Sequence, residues 1–298
     1  MYKIMSNKRT IAVLVLPGIL LFALTVLFPI LYSAYLGLFN YNGYSSMTFV
    51  GLKNYIDILS KDKIFWQSLF HSLILAVVII VIQHPFSIFM AILVDKIGRK
   101  LEKAFRIIFF APCVISAVVI CSMWSNLLNS DFGIINKIFA ALGLKSLSQI
   151  SLLSDTRTAL GTVIFVIIWM GWGWAFLVYY AGIKGIPEDV FEAAKIDGAS
   201  GFKMITRITL PLLAPVLRIG VTLGLLAALK ELTTPFLLTG GGPGNATNFI
   251  SYYFYNIAFQ GQKFGYGSAL SMLLVILSLL VVFAVSKMIK YNDADVEL

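Results

Sequence analysis

Residues 188–215 read EDVFEAAKIDGASGFKMITRITLPLLAP, from Glu188 to Pro215. This stretch is polar, abruptly punctuated, and flanked on both sides by long apolar segments. The whole chain is 59% hydrophobic and only 12% charged over 298 residues. Soluble domains carry about a quarter of their residues as charges. Six apolar segments, at about 11–38, 66–94, 107–128, 159–183, 212–238 and 267–289, are each long enough to cross a hydrocarbon layer of ~30 Å. The expected fold is therefore all-α: a polytopic membrane helix bundle of six spans forming a single transmembrane domain over 1–298. The polar stretch lies between spans four and five.

The first apolar run follows Lys3, Lys8 and Arg9, as a signal peptide would, but it is too long for an h-region and no A-x-A site follows. It is read as a retained span, kinked or ended by Pro17 and Pro29. Pro85 falls inside span two. Residues 129–158 predict a short helix lying at the membrane surface, and 250–264 an aromatic, re-entrant-looking piece. The two cysteines, Cys113 and Cys121, sit eight apart in one apolar segment and read as small apolar filler. His71 and His84 share one span and read as interhelical packing or hydrogen bonding; no metal site is expected.

Loop charge gives orientation. Fourteen Lys and Arg residues fall on the side that holds the N-terminus, 95–106, 184–207 and the C-terminus; seven fall on the other. Basic residues concentrate on the cytoplasmic side, so both termini and the 188–215 stretch are expected there. The same bias accounts for the net charge of +9 without nucleic acid, as attraction to inner-leaflet lipid.

Within the stretch, Pro187 followed by Glu188 and Asp189 predicts a helix start with acids in the first turn. Val190, Ala193, Ala194 and Ile196 predict an apolar face. Glu188, Asp189, Glu192, Lys195 and Asp197 predict a polar one. Gly198 breaks the helix, a second short helix begins near Phe202, and Pro211 sets the entry into span five. Composition alone also fits an amphipathic helix lying on the inner leaflet. The acids on its polar face disfavour anionic lipid, and small alanines suit close packing in a protein groove.

The spacing Glu192-Ala193-Ala194, three residues, Gly198, nine residues, Ile208, one residue, Leu210-Pro211 resembles the EAA signature of bacterial ABC importer permeases. Residues 49–55, 111–124, 131–144, 196–199, 238–243 and Ala258-Phe259 resemble the carbohydrate-uptake branch, specifically a maltose-permease F-type subunit in its six-span form. The resemblance covers essentially the whole chain. It implies that Glu192, Ala193, Ala194, Asp197, Gly198, Leu210 and Pro211, within a loop over 188–211, form a coupling helix seated on a cytosolic ATPase. It also implies a second permease subunit in a heterodimer, two cytosolic ABC ATPase subunits, an extracytoplasmic solute-binding protein, and a bacterial inner-membrane location. No G-x-x-x-x-G-K-[ST] occurs in the chain. ATP and Mg are then expected to be used by the partner ATPases, with no cofactor held by this chain and no enzyme chemistry of its own.

Ionisable groups inside a span are candidates for function. Gly224, Ala228 and Glu231 follow i, i+4, i+7 spacing and predict one open helix face in span five, beside Lys230. In span four, Gly171 and Trp174 share a face with Ile167 and Val178; Trp174 offers a stacking surface for a sugar ring. These six residues are the expected substrate path, and the resemblance places Trp174 and Glu231 at substrate-contact positions. Open alternatives are packing or interfacial anchoring for Trp174, pairing with a partner subunit or Lys230 for Glu231, and snorkelling for Lys230. The expected activity is inward movement of a sugar or oligosaccharide by alternating access. Glycerol phosphate or an acidic sugar is an alternative cargo, and an ATPase-independent carrier is a less favoured class.

Overall fold

The computed structural model describes residues 8–144 and 150–289. Lys3, Lys145 and Lys290 of the loop-charge reading lie outside the described residues. The only strands among them are a two-residue antiparallel pair, β1 (Phe39–Asn40) and β2 (Thr48–Phe49); everything else ordered is helical. Apolar backbone segments without water must satisfy their own N–H and C=O groups, and a helix does so within one segment.

The chain forms two compact units. The first holds residues up to Asp62 together with Phe254–Ile276. Its long helix α1 (Thr10–Leu36) exposes nearly all of its apolar side chains, as Val13 and Leu14 illustrate. Pro17 sits inside α1 without ending it. After α1 the chain turns on Asn42, whose Oδ1 accepts the N–H groups of Tyr44 and Ser45 at 3.1 and 2.8 Å. Asn54, in α2 (Lys53–Lys61), donates to the Gly37 and Phe39 carbonyls at 2.9 and 3.0 Å. The Tyr266 hydroxyl closes the unit by donating to Asp62 at 2.7 Å.

The second unit runs from Lys63 to Tyr253 and takes in the end of the last helix from Leu277. Its helices are α3 (Lys63–Asp95), α4 (Arg99–Val114), α5 (Ala117–Leu127), α6 (Ile134–Ala141), α7 (Ala159–Lys184), α8 (Glu188–Ile196), α9 (Phe202–Leu212), α10 (Ala214–Lys230), α11 (Thr233–Leu238) and the start of α12 (Ile250–Tyr255), up to Tyr253. The last helix, α13 (Phe264–Met288), passes through both units. The core is built on α7, which packs along α3, α4 and α10. One buried cluster joins Ala91, Phe176, Tyr179, Tyr180, Ile183 and Leu213; another joins Leu75, Ile79, Val163, Ile167, Ala228 and Phe249.

Two expected spans are not straight. The span expected over 107–128 is α4 and α5, bent by 93° where Ile115 and Ser116 take extended backbone angles. Most of the basic connector before it is already helix, because α4 begins at Arg99. The span expected over 212–238 is also broken. α9 and α10 meet at 72° around Leu213, between Pro211 and Pro215, and helix stops again after Lys230. α1, α3, α7 and α13 are each unbroken and long enough to cross a membrane.

Proline leaves a second signature. Three widened turns, Ala23–Leu27, Ile79–Gln83 and Ile205–Thr209, each end one residue before the dipeptides Phe28-Pro29, His84-Pro85 and Leu210-Pro211. In each, the residue before the proline donates its N–H five residues back, to Ala23, Ile79 or Ile205. Proline has no N–H and its ring collides with the carbonyl four residues earlier. One extra residue in the turn moves that carbonyl aside and lets the helix continue.

Candidate functional site: the 188–211 loop and the polar positions of the bundle

α8 starts at Pro187 and carries Glu188 and Asp189 in its first turn and Lys195 in its last, matching the helix dipole at both ends. Its end is a Schellman closure. Ala199 N–H donates to the Ala194 carbonyl at 2.8 Å and Gly198 N–H to the Lys195 carbonyl at 3.0 Å. Gly198 takes φ +81°, a left-handed angle that costs an ordinary residue about 1 kcal/mol. Gly201, at φ +52°, opens α9.

The expected apolar face of α8 is divided. Ala194 is buried, with Val190 and Phe191 half-buried beside it, whereas Ala193 is exposed. Ile196 is 87% exposed and Phe202 78% exposed, and Glu192, Asp197 and Gly198 are also open. The two alanines therefore serve different sides: Ala194 faces the bundle and Ala193 faces away. Leu210 is half-buried, Pro211 is exposed, and Leu213 after them is fully enclosed.

The six residues expected along a substrate path do not form one surface. Gly171 and Trp174 lie on a half-open part of α7, Trp174 exposed and Gly171 half-buried. A side chain added at Gly171 would touch the amide of Gln83 at 3.5 Å. On α10 the i, i+4, i+7 expectation fails. Ala228 is buried in the core, and a Cβ at Gly224 would lie 2.7 Å from His84 Nε2 and 2.9 Å from Ile79. Glu231 has left the helix at φ −66°, ψ 117°. Its Oε1 accepts the Thr234 N–H at 2.9 Å, so from the position before the N-cap Leu232 it satisfies a free donor in the first turn of α11. Lys230 is exposed at the end of α10.

Each histidine makes a long-range bond from α3, His71 to the segment just before α12 and His84 to α7. His71 Nδ1 is 2.9 Å from the Asn248 carbonyl, and His84 Nδ1 is 2.6 Å from the Tyr179 hydroxyl. Gly220 and Gly224 let α10 approach that second pair, since a Cβ at Gly220 would strike the Tyr179 hydroxyl. Among the described residues no group of three His, Cys, Asp or Glu side chains comes together to hold a metal ion. Residue patterns did not bring out Gln83, nor the polar contacts of Glu102, Tyr180, Lys184 and Asp95. The pair Glu102 and Arg106, four apart before an apolar run, was the available signal for the last group.

The fold is that of a membrane transport permease. A solved bacterial alginate ABC transporter, in complex with an alginate pentasaccharide-bound periplasmic protein, contains a chain that superposes with a TM-score of 0.79 at 23% identity, covering 97% of this chain and 96% of that one. Residues 83–296 match the family of the binding-protein-dependent transport system inner membrane component. The chain belongs to that family. The probable ABC transporter permease protein YurN of Bacillus subtilis is 36% identical over 276 residues, 92% of this chain and 94% of that protein. The trehalose/maltose transport system permease protein MalF of Thermococcus litoralis is 33% identical over 231 residues, 78% of this chain and 76% of that protein.

Proposed function

We propose that the chain is the six-span permease subunit of an ATP-driven importer that moves a sugar or oligosaccharide inward by alternating access. The observation that carries this reading is α8. It is a short helix ended by a positive-φ glycine, with Glu192, Ala193 and Ile196 turned outward, at the spacing of the EAA signature. Such a surface suits a protein groove: apolar atoms at its centre, an acid at its rim. The partner in that groove is a cytosolic ATPase, which brings the ATP and Mg that this chain does not bind. A second permease subunit, a second ATPase and an external solute-binding protein complete the machine. Both termini and the 188–211 loop lie in the cytoplasm, in keeping with the loop charges.

A relative whose name specifies trehalose and maltose supports a sugar as cargo. Trp174, with the small Gly171 beside it, offers an aromatic surface suited to a sugar ring. An acidic sugar or glycerol phosphate is the second reading, favoured by the exposed Lys230. Deleting the gene for this chain and measuring uptake of a labelled panel of neutral and acidic sugars tests both. Loss of one neutral sugar, restored by the gene, is the expected result; unchanged uptake of every sugar would overturn it. Glu192→Lys and Gly198→Pro should each insert normally yet lower uptake at least tenfold.

A further inference from the structure

α8 hangs from α7 by only three residues, Gly185, Ile186 and Pro187. Behind α8 lies a cavity of about 380 Å³, lined by Ile92, Ile183, Phe191, Met204 and Ile205 among others. A gap of this size interrupts close packing, and strain passes through contact, not through voids. A push on α8 enters the bundle through its own buried side at Ala194, through the covalent links to α7 and α9, and through whatever fastens the end of α7 to its neighbours.

That fastening is a polar cluster built on two side chains of the last turns of α7. The Tyr180 hydroxyl donates to Glu102 Oε1 of α4 at 2.5 Å. Its ring, 4% exposed, is flanked by two cations, with Arg106 Cζ 5.5 Å and Lys184 Nζ 5.7 Å from the ring centre. Arg106 also lies 3.7 Å from Glu102. One turn further on, Lys184 Nζ pairs with Asp95 Oδ1 at the end of α3, at 2.8 Å. A hydrogen bond to a carboxylate is stronger than a neutral one, and cation–ring contacts add to it when partly enclosed. A network holds where a lone exposed pair would not.

We propose that Tyr180 and Lys184 are positioning residues of the transport cycle: they lock the ends of α3 and α4 to the end of α7, so that all three follow α8 as one rigid body. The proposal rests on reading 188–211 as the coupling loop, but its test needs no knowledge of the cargo. Spin labels are placed at Asp189→Cys on α8 and Lys103→Cys on α4, both exposed positions. Cys113 and Cys121 are replaced by alanine, and the labelled chain is purified in the full importer with cysteine-free partners. Pulsed electron-resonance distances are measured without nucleotide and with ATP trapped by vanadate. The expected distance is the same in both states for the parent. In Tyr180→Phe, which keeps the ring and loses only the hydroxyl, the trapped-state distance is expected to shift by more than the width of the parent distribution. Glu102→Gln should do likewise from the α4 side and serves if Tyr180→Phe fails to assemble. A parent distance that changes between states, or substituted importers that behave as the parent, would overturn the proposal. Failure of the importer to assemble with any ATPase would instead sink the coupling reading.

Discussion

Glu231 shows how spacing arithmetic can misjudge a residue's local geometry. An acid in an apolar segment stood out from its neighbours, and i, i+4, i+7 arithmetic put it on a helix face with Gly224 and Ala228. The arithmetic assumed an unbroken helix. The break after Lys230 puts Glu231 just before the N-cap Leu232, where its side chain plays a capping part by accepting the Thr234 N–H of α11. A cap needs an acceptor oxygen and not a charge. Glu231→Gln should therefore keep the thermal stability of the detergent-solubilised protein near the parent value, while Glu231→Ala lowers stability by about 1 kcal/mol. Equal loss in both would contradict the capping role. Gly173 makes the complementary point. Any side chain there would run into the Phe109 carbonyl, so the contact of α4 with α7 depends on its absence. Gly173→Val should cost about 3 kcal/mol through overpacking, seen as a lower melting temperature. Nothing in the sequence distinguished Gly173 from Gly171 two residues away, because only the neighbouring helix decides which of them is covered.

Among elements, four of the expected spans correspond to unbroken helices and two to bent pairs, whose breaks came from context. Pro112, Pro211 and Pro215 marked the neighbourhoods of the bends, but Pro17 sits in an unbroken helix and Pro29 and Pro85 are absorbed by widened turns. Proline states that the regular ladder cannot continue; the packing on either side decides whether the chain bends or inserts a residue. In α3, both halves are held against α7 and α10, so insertion keeps each half in register. That view predicts an unusual tolerance. Deleting Val81 from the turn at 79–83, in a Pro85→Ala background, should restore regular helix and leave both halves packed as before. Deleting Val77, one turn earlier, should rotate everything before it by about 100° and abolish assembly. Membrane-extracted yield and gel filtration compare the two, and equal loss would count against the widened turn as an inserted residue. α8 was the most legible element, since proline, acids, glycine and spacing all lie within a dozen residues. Its two-sided use of Ala193 and Ala194 was not legible, because both are alanine and only burial separates them.

For the whole molecule, composition alone established a polytopic helical membrane protein, and the family match covers residues 83–296. The expected solute path draws on less local evidence than the expected coupling loop, for a physical reason. A docking helix is local, with all of its chemistry in one short stretch. A translocation path gathers single residues from several helices, so no spacing along one helix defines it. The account as a whole stands on α8 meeting an ATPase. The most direct measurement places a photo-crosslinking amino acid at Ile196, which is 87% exposed on α8, and a control at Phe70, 62% exposed on α3, in the importer expressed with its partners. The account predicts that Ile196 captures an ATPase subunit on irradiation and that Phe70 does not. An Ile196 adduct formed only with lipid, in an importer that otherwise assembles and hydrolyses ATP, would contradict it.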